Sequence, residues 1–162
     1  MPKLLAEHRP DIVIHLGLAA DRDYFAIEKG ADRHGYHDIP DEKRKVVSRL
    51  ENKKLFGTNP VRLDSDIGFG EALLKRWKHN FDLKNGKISL KNKTIIGVSN
   101  SGLRLSDNVG NYVCGLLYFV SLLWFAGRGE PGRALFLHVP PLKDDHKLET
   151  YRDVVVALMQ AI

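Results

Sequence analysis

From residue 114 to residue 126 the chain carries 13 consecutive residues without a charge. Taken with the residues before it, 109–125 is one long apolar and aromatic segment. In it Leu116, Leu117, Phe119, Val120, Leu123, Trp124 and Phe125 leave little polar face. A helix that is apolar all round has to be buried. A membrane-spanning helix needs about 20 apolar residues, so this segment is too short for that role. It predicts a helix inside the core of a globular domain.

What flanks that helix sets the fold class. Residues 11–17 and 134–139 are short apolar runs, the first ended by Gly17 and the second halted by Pro140 and Pro141. Each reads as a strand buried on both faces, as in a parallel sheet. Residues 24–28 and 94–98 are further strand candidates, and residues 103–105 extend or follow the latter. Residues 4–9 read as the end of a helix stopped by Pro10. Phe69, Ala72, Leu73, Trp77 and Phe81 recur at helical spacing, and residues 148–162 close the chain as an amphipathic helix. Asn85-Gly86 is a strong hairpin signal. Residues 37–67 are polar and read as surface loop, with one helix near 43–50. Strands alternating with helices predict a single α/β/α sandwich around a mostly parallel sheet, with strands 11–16, 94–98 and 134–139 adjacent.

Composition removes several classes of protein. A chain of 162 residues makes one domain with a proper core. Its one cysteine, Cys114, excludes a disulfide scaffold and a Cys-rich zinc module. The first residues lack the apolar core of a signal peptide, so the expectation is a soluble, cytoplasmic protein. The net charge of +5 is mild. Its densest basic cluster (Lys43, Arg44, Lys45, Arg49, Lys53, Lys54) lacks interleaved aromatics and is interrupted by acids. That is the pattern of a solvated face rather than a nucleic-acid surface. Asp32, His34, His37 and Asp38 fit a polar loop better than a metal site. Gly68-Phe69-Gly70 has no Lys-Ser/Thr after it and is no phosphate loop, and Ser99 sits in an incomplete nucleophile elbow.

In open α/β sheets, chemistry collects at the carboxyl ends of strands and at helix N-termini. Cys114 falls in the first turns of the apolar helix, His138 near the end of the last strand, and Glu28 at the end of the 24–28 strand. A thiol at a helix N-terminus has its anionic form favoured by the helix dipole. A histidine nearby would take and return its proton, and a carboxylate would fix the imidazole tautomer. Each residue also has a plainer reading: an inert core cysteine, a satisfied core histidine, and an ordinary surface carboxylate.

The residues around these three carry a resemblance. Ser106-Asp107-Asn108-Val109-Gly110-Asn111-Tyr112-Val113-Cys114 resembles the nucleophile motif of the pyroglutamyl peptidase I (pyrrolidone-carboxylate peptidase) family. Phe136-Leu137-His138-Val139-Pro140 resembles its histidine motif. Gly17-Leu18-Ala19, Ile27-Glu28-Lys29 and Gly35-Tyr36 resemble its glutamate segment in the eukaryotic style. The resemblance covers most of residues 10–142 and implies a cysteine-type omega peptidase, a thiol hydrolase acting on peptides with N-terminal pyroglutamate. It carries over Cys114 as nucleophile, His138 as general base and acid, and Glu28 as the residue that orients His138. It implies no metal and no organic cofactor, no nucleic-acid partner and no membrane, and is silent on oligomeric state.

The chain also departs from the family. Leu18 stands where many members carry Gln, and the 28–114 interval is long, with the Asn85-Gly86 hairpin as the expected insertion. Members usually begin with a strand and a glycine-phenylalanine-rich loop that help form the pyroglutamate pocket, and no such segment precedes Leu4. The expectation is an N-terminally incomplete domain over residues 1–162, with an unpaired strand edge, an open pocket, and weak or absent turnover. The alternative is a non-catalytic binding domain or degenerate homologue in which Cys114 and His138 only pack.

Overall fold

The computed structural model describes residues 2–65, 70–84, 102–142 and 148–162. In chain order the elements are α1 (Pro2–His8), β1 (Val13–Leu18), β2 (Phe25–Glu28), β3 (Gly30–Asp32), α2 (Arg49–Phe56), β4 (Arg62–Asp64), α3 (Gly70–Lys84), β5 (Leu103–Ser106), α4 (Val113–Ala126), β6 (Ala134–Val139) and α5 (Leu148–Met159). The central sheet is mostly parallel and has strand order β1-β6-β2-β5. Its β1–β6 pair keeps a constant offset: Val13 N donates to Arg133 O and Ala19 N to Val139 O, both at 2.9 Å. Numbers that rise together on two paired strands mean a parallel pair. The α/β class read from the sequence is the class observed.

Strand β6 is buried from Ala134 through His138, as its unbroken apolar run requires. Strand β1 does not match the expectation of burial on both faces: Leu16 is 58% exposed and Leu18 62%. The reason is topological, since among the described residues β1 is the outer strand of the sheet, with β6 as its neighbour. The expected strand at 94–98 and the Asn85-Gly86 hairpin lie outside the described residues.

By compactness the chain divides into two units: Met1–Gly17, Ile27–Ile67 and Ser106–Leu137 form the first, and Leu18–Ala26, Gly68–Leu105 and His138–Ile162 the second. The first unit is built on α4. No residue from 114 to 126 is exposed. Tyr118, Phe119, Leu122 and Phe125 pack with Phe56, Val109, Ala134 and Phe136 in one core. Phe56 and Phe119 meet edge to face with centroids 5.3 Å apart. The helix starts at Val113 and not at 109 because the preceding residues form a turn: Asn108 Oδ1 accepts from Gly110 N at 3.2 Å, and Gly110 has φ +80°.

Two features of this unit were not expected. Residues 30–32 pair antiparallel with 62–64, in the register Gly30↔Asp64, Ala31↔Leu63 and Asp32↔Arg62. The helix expected near 43–50 is instead Arg49–Phe56, set by a capping box. Ser48 Oγ accepts from Glu51 N at 3.2 Å, and Glu51 Oε2 accepts from Ser48 N at 2.9 Å.

The second unit centres on α3 against α5. Leu73, Trp77, Phe81, Val154, Ala157 and Leu158 are buried. The Trp77 indole N–H donates to Val154 O at 2.9 Å, which satisfies the one polar atom of a fully buried side chain. Lys84 and Asp153 pair at 3.1 Å at the end of α3.

Within the first unit, His15 carries a pH dependence. Its Nε2 lies 2.9 Å from Ser121 Oγ, and that hydroxyl also reaches Leu117 O at 3.1 Å. The ring stacks on Phe136 at 5.7 Å, and burial lowers the His15 pKa from 6.5. Below about pH 6.5 the unfolded chain binds this proton more readily than the folded one. Stability from this group is present above that pH and lost as pH falls. Thermal unfolding followed from pH 7.5 to 5 should show a falling midpoint, with a shallower fall in His15→Leu. An unchanged slope in the variant would remove His15 from the account.

Candidate active site

Cys114 is the second residue of α4, half-buried and with a free thiol. The backbone around it is closely fitted. A Cβ on Gly17 would stand 3.2 Å from Cys114 Sγ and 2.7 Å from the Phe136 ring. A Cβ on Gly115 would overlap the carbonyl oxygen of Gly110 and come within 3.2 Å of the Tyr36 ring. Tyr36 is buried, and its hydroxyl donates to Asp32 O. Burial, with help from the Asp32 charge, raises its pKa, so the phenol stays protonated. The first turn of α4 is thus seated against β1, the 108–111 turn and Tyr36 through positions that accept no side chain.

Glu28 ends β2 and is wholly buried. The reading of Glu28 as an ordinary surface carboxylate is therefore overturned: it ends an inner strand of the sheet, not a solvent-facing edge. Its backbone carbonyl accepts from the Tyr118 hydroxyl at 3.0 Å. Tyr118 lies one turn beyond Cys114 on α4, so the two share a helix face. The helix that positions Cys114 thereby also holds the end of β2. Removing that hydroxyl takes one hydrogen bond from the buried end of β2, at a net cost of roughly 0.5–1.5 kcal/mol. Tyr118→Phe should lower the urea midpoint of unfolding accordingly, and an unchanged midpoint would mean the bond contributes nothing net.

His138 is the last residue but one of β6 and is 5% exposed. Glu28 and Cys114 belong to the first unit, and His138 begins the last segment of the second. Leu18, where many family members carry Gln, is exposed. Sequence reasoning missed a slot of about 190 Å³ beside the first turn of α4, lined mainly by apolar and aromatic side chains such as Val46, Val47, Val113 and Leu116, with Asp41 and Lys45 also in its wall. The apolar pair Val46-Val47 inside an otherwise polar loop was the available signal. No helix among the described residues is long and apolar enough to cross a membrane.

No family model matches the chain. Known proteins do. Pyroglutamyl-peptidase 1 of Rattus norvegicus is 28% identical over 142 residues, which are 88% of this chain and 55% of that protein. Pyrrolidone-carboxylate peptidase of Pyrococcus furiosus is 26% identical over 140 residues, 86% of this chain and 56% of the relative. A solved mutant pyrrolidone carboxyl peptidase from Pyrococcus furiosus superposes with TM-score 0.70 at 22% identity, over 98% of this chain and 72% of that one. The pyrrolidone carboxyl peptidase from Thermococcus litoralis gives 0.69 at 20% identity, over 98% and 68%. The chain has the pyrrolidone carboxyl peptidase fold. By sequence it is a relative of the pyroglutamyl peptidase I family, and it spans about half the length of the curated relatives it matches.

Proposed function

We propose that this chain is a cysteine-type omega peptidase that removes N-terminal pyroglutamate from peptides. Cys114 Sγ attacks the pyroglutamyl carbonyl, His138 takes the thiol proton and gives it to the departing amine, and Glu28 orients His138. The C–N bond breaks, a thioester to Cys114 forms, and water then hydrolyses it. N–H groups of the first turn of α4 lack intrahelical acceptors by helix geometry and supply the donors for the oxyanion.

The observation that carries the reading is the seat of Cys114: a thiol in the first turn of α4, closely fitted against glycines at 17 and 115. The names of the relatives support the substrate. The burial of Glu28 and His138 favours one competitor, a non-catalytic domain in which these are packing residues. A pyroglutamyl amide with a chromogenic leaving group separates the two. Release that stops on iodoacetamide treatment supports the peptidase. No release from a folded, monodisperse protein supports the binding domain.

A further inference from the structure

The basic cluster read from the sequence as a solvated face is partly drawn together in the first unit. Arg49 and Lys53, one turn apart on α2, line a cleft of about 370 Å³ with Arg33, His34 and His37. No carboxylate is in its lining. Arg33 is held in place: its Nη1 donates to Gly57 O at 2.9 Å and to Asn59 O, and Asn52 Nδ2 donates to Arg33 O at 2.6 Å. Arg49 Nε donates to His37 Nε2 at 3.0 Å.

Two nearby acids sit at its margin: Asp38 lies 3.3 Å from the lining His37, and Asp41 lines the adjoining slot. Asp41 Oδ1 accepts from the backbone N–H groups of Lys43 and Lys45. Glu51 caps its own helix through Ser48. Three permanent cations around one concavity without a lining anion are arranged for a negative ligand. The cleft also shares Tyr36 and Val47 with the slot beside α4. One surface therefore leads from the first turn of α4, past Val46, Val47 and the oppositely charged Asp41 and Lys45, to the cations.

We propose that this cleft binds a carboxylate on the leaving part of the substrate peptide, so that the preferred substrates are acidic downstream of the pyroglutamyl residue. The proposal rests on the peptidase reading above. The carboxylate comes from an acidic side chain or from the free C-terminus of a short peptide, since Arg and Lys bind both alike.

Binding is measured calorimetrically on Cys114→Ala protein, which leaves the peptides uncut. The probes are pyroglutamyl-Ala-Ala-Ala-amide, its three versions with one Glu in place of each Ala, and the neutral peptide as free acid. At least one charged peptide should bind on the order of tenfold more tightly than the neutral amide, from two or three partly exposed ion pairs. The gain should shrink in 0.5 M salt. Adding Arg49→Gln with Lys53→Gln should abolish it. Lys54→Gln, which removes the same charge next along α2 but outside the cleft, should leave it. If the Glu peptides gain and the free acid does not, the source is the side chain; the reverse assigns it to the C-terminus. If all five bind equally while the parent protein cuts the neutral peptide, this inference falls and the peptidase reading stands. If none binds and none is cut, both fall.

Discussion

Cys114→Ala should fold as the parent does and lose pyroglutamyl cleavage by at least about a thousandfold, because no other group can form the thioester. The folding half of this follows from packing. Cys114 is half-buried, and only one small polarizable atom is removed. Its neighbours Phe136 and Gly17 keep their contacts, so the far-UV spectrum and melting midpoint should move little. The catalytic half follows from composition: the sequence holds no second cysteine to substitute. Cys114→Ser should also fail, since a neutral hydroxyl is a far poorer nucleophile than sulfur at neutral pH. A variant within tenfold of the parent rate, judged on protein that melts normally, would remove Cys114 from the mechanism. It would shift weight to the reading in which cysteine and histidine only pack.

The elements legible in the sequence were those whose signal is local and self-contained. Residues 134–139 read as a strand with the bounds later observed, because an apolar run meets two prolines. Cys114 read as a helix N-terminal residue because a polar, glycine-bearing segment gives way to an uncharged one. The helix start was placed four residues early, since Val109 is apolar while the turn that excludes it depends on Asn108 and on a left-handed Gly110. Strands β3 and β4 have three residues each, too few to show a period. The α2 boundary has a local signature, since Ser48 and Glu51 have capping-box spacing.

The site was less legible than the fold because its constraints come from residues far away in sequence. A glutamate ending a short strand gives no local hint that it will be wholly buried. Its burial follows from β2 lying between β6 and β5, and its carbonyl is tied to Tyr118, 90 positions later. Gly17 read as a strand terminator. In the structure it lies inside β1, and its missing side chain makes room for Phe136 and Cys114. The cleft of Arg33, Arg49 and Lys53 joins two stretches whose proximity has no local signature.

Gly115→Ala should be strongly destabilising although it replaces glycine by the best helix former at a helical position. Propensity alone favours the change by about 1 kcal/mol. Against this, the new methyl would overlap the Gly110 carbonyl oxygen, a backbone atom that cannot rotate away like a side-chain end. Tyr36, at 3.2 Å on the other side, is buried and hydrogen-bonded through its hydroxyl, so it cannot yield readily either. Forced overpacking of this kind costs about 1–3 kcal/mol, more where backbone must move, and outweighs the propensity gain. Relief requires either the 108–111 turn or the start of α4 to shift, and Cys114 shifts with the latter. Displacement of a reacting group by about 1 Å costs roughly a hundredfold in rate. Urea unfolding should therefore show a lower midpoint for Gly115→Ala, and any cleavage should fall out of proportion to the folded fraction. Gly127→Ala is the control, since a Cβ there meets only ordinary contacts at 3.5 and 3.6 Å and φ is −64°. It should be neutral or slightly stabilising. If Gly115→Ala instead matched Gly127→Ala in both stability and rate, the turn before α4 would be compliant and Cys114 would not owe its position to that contact.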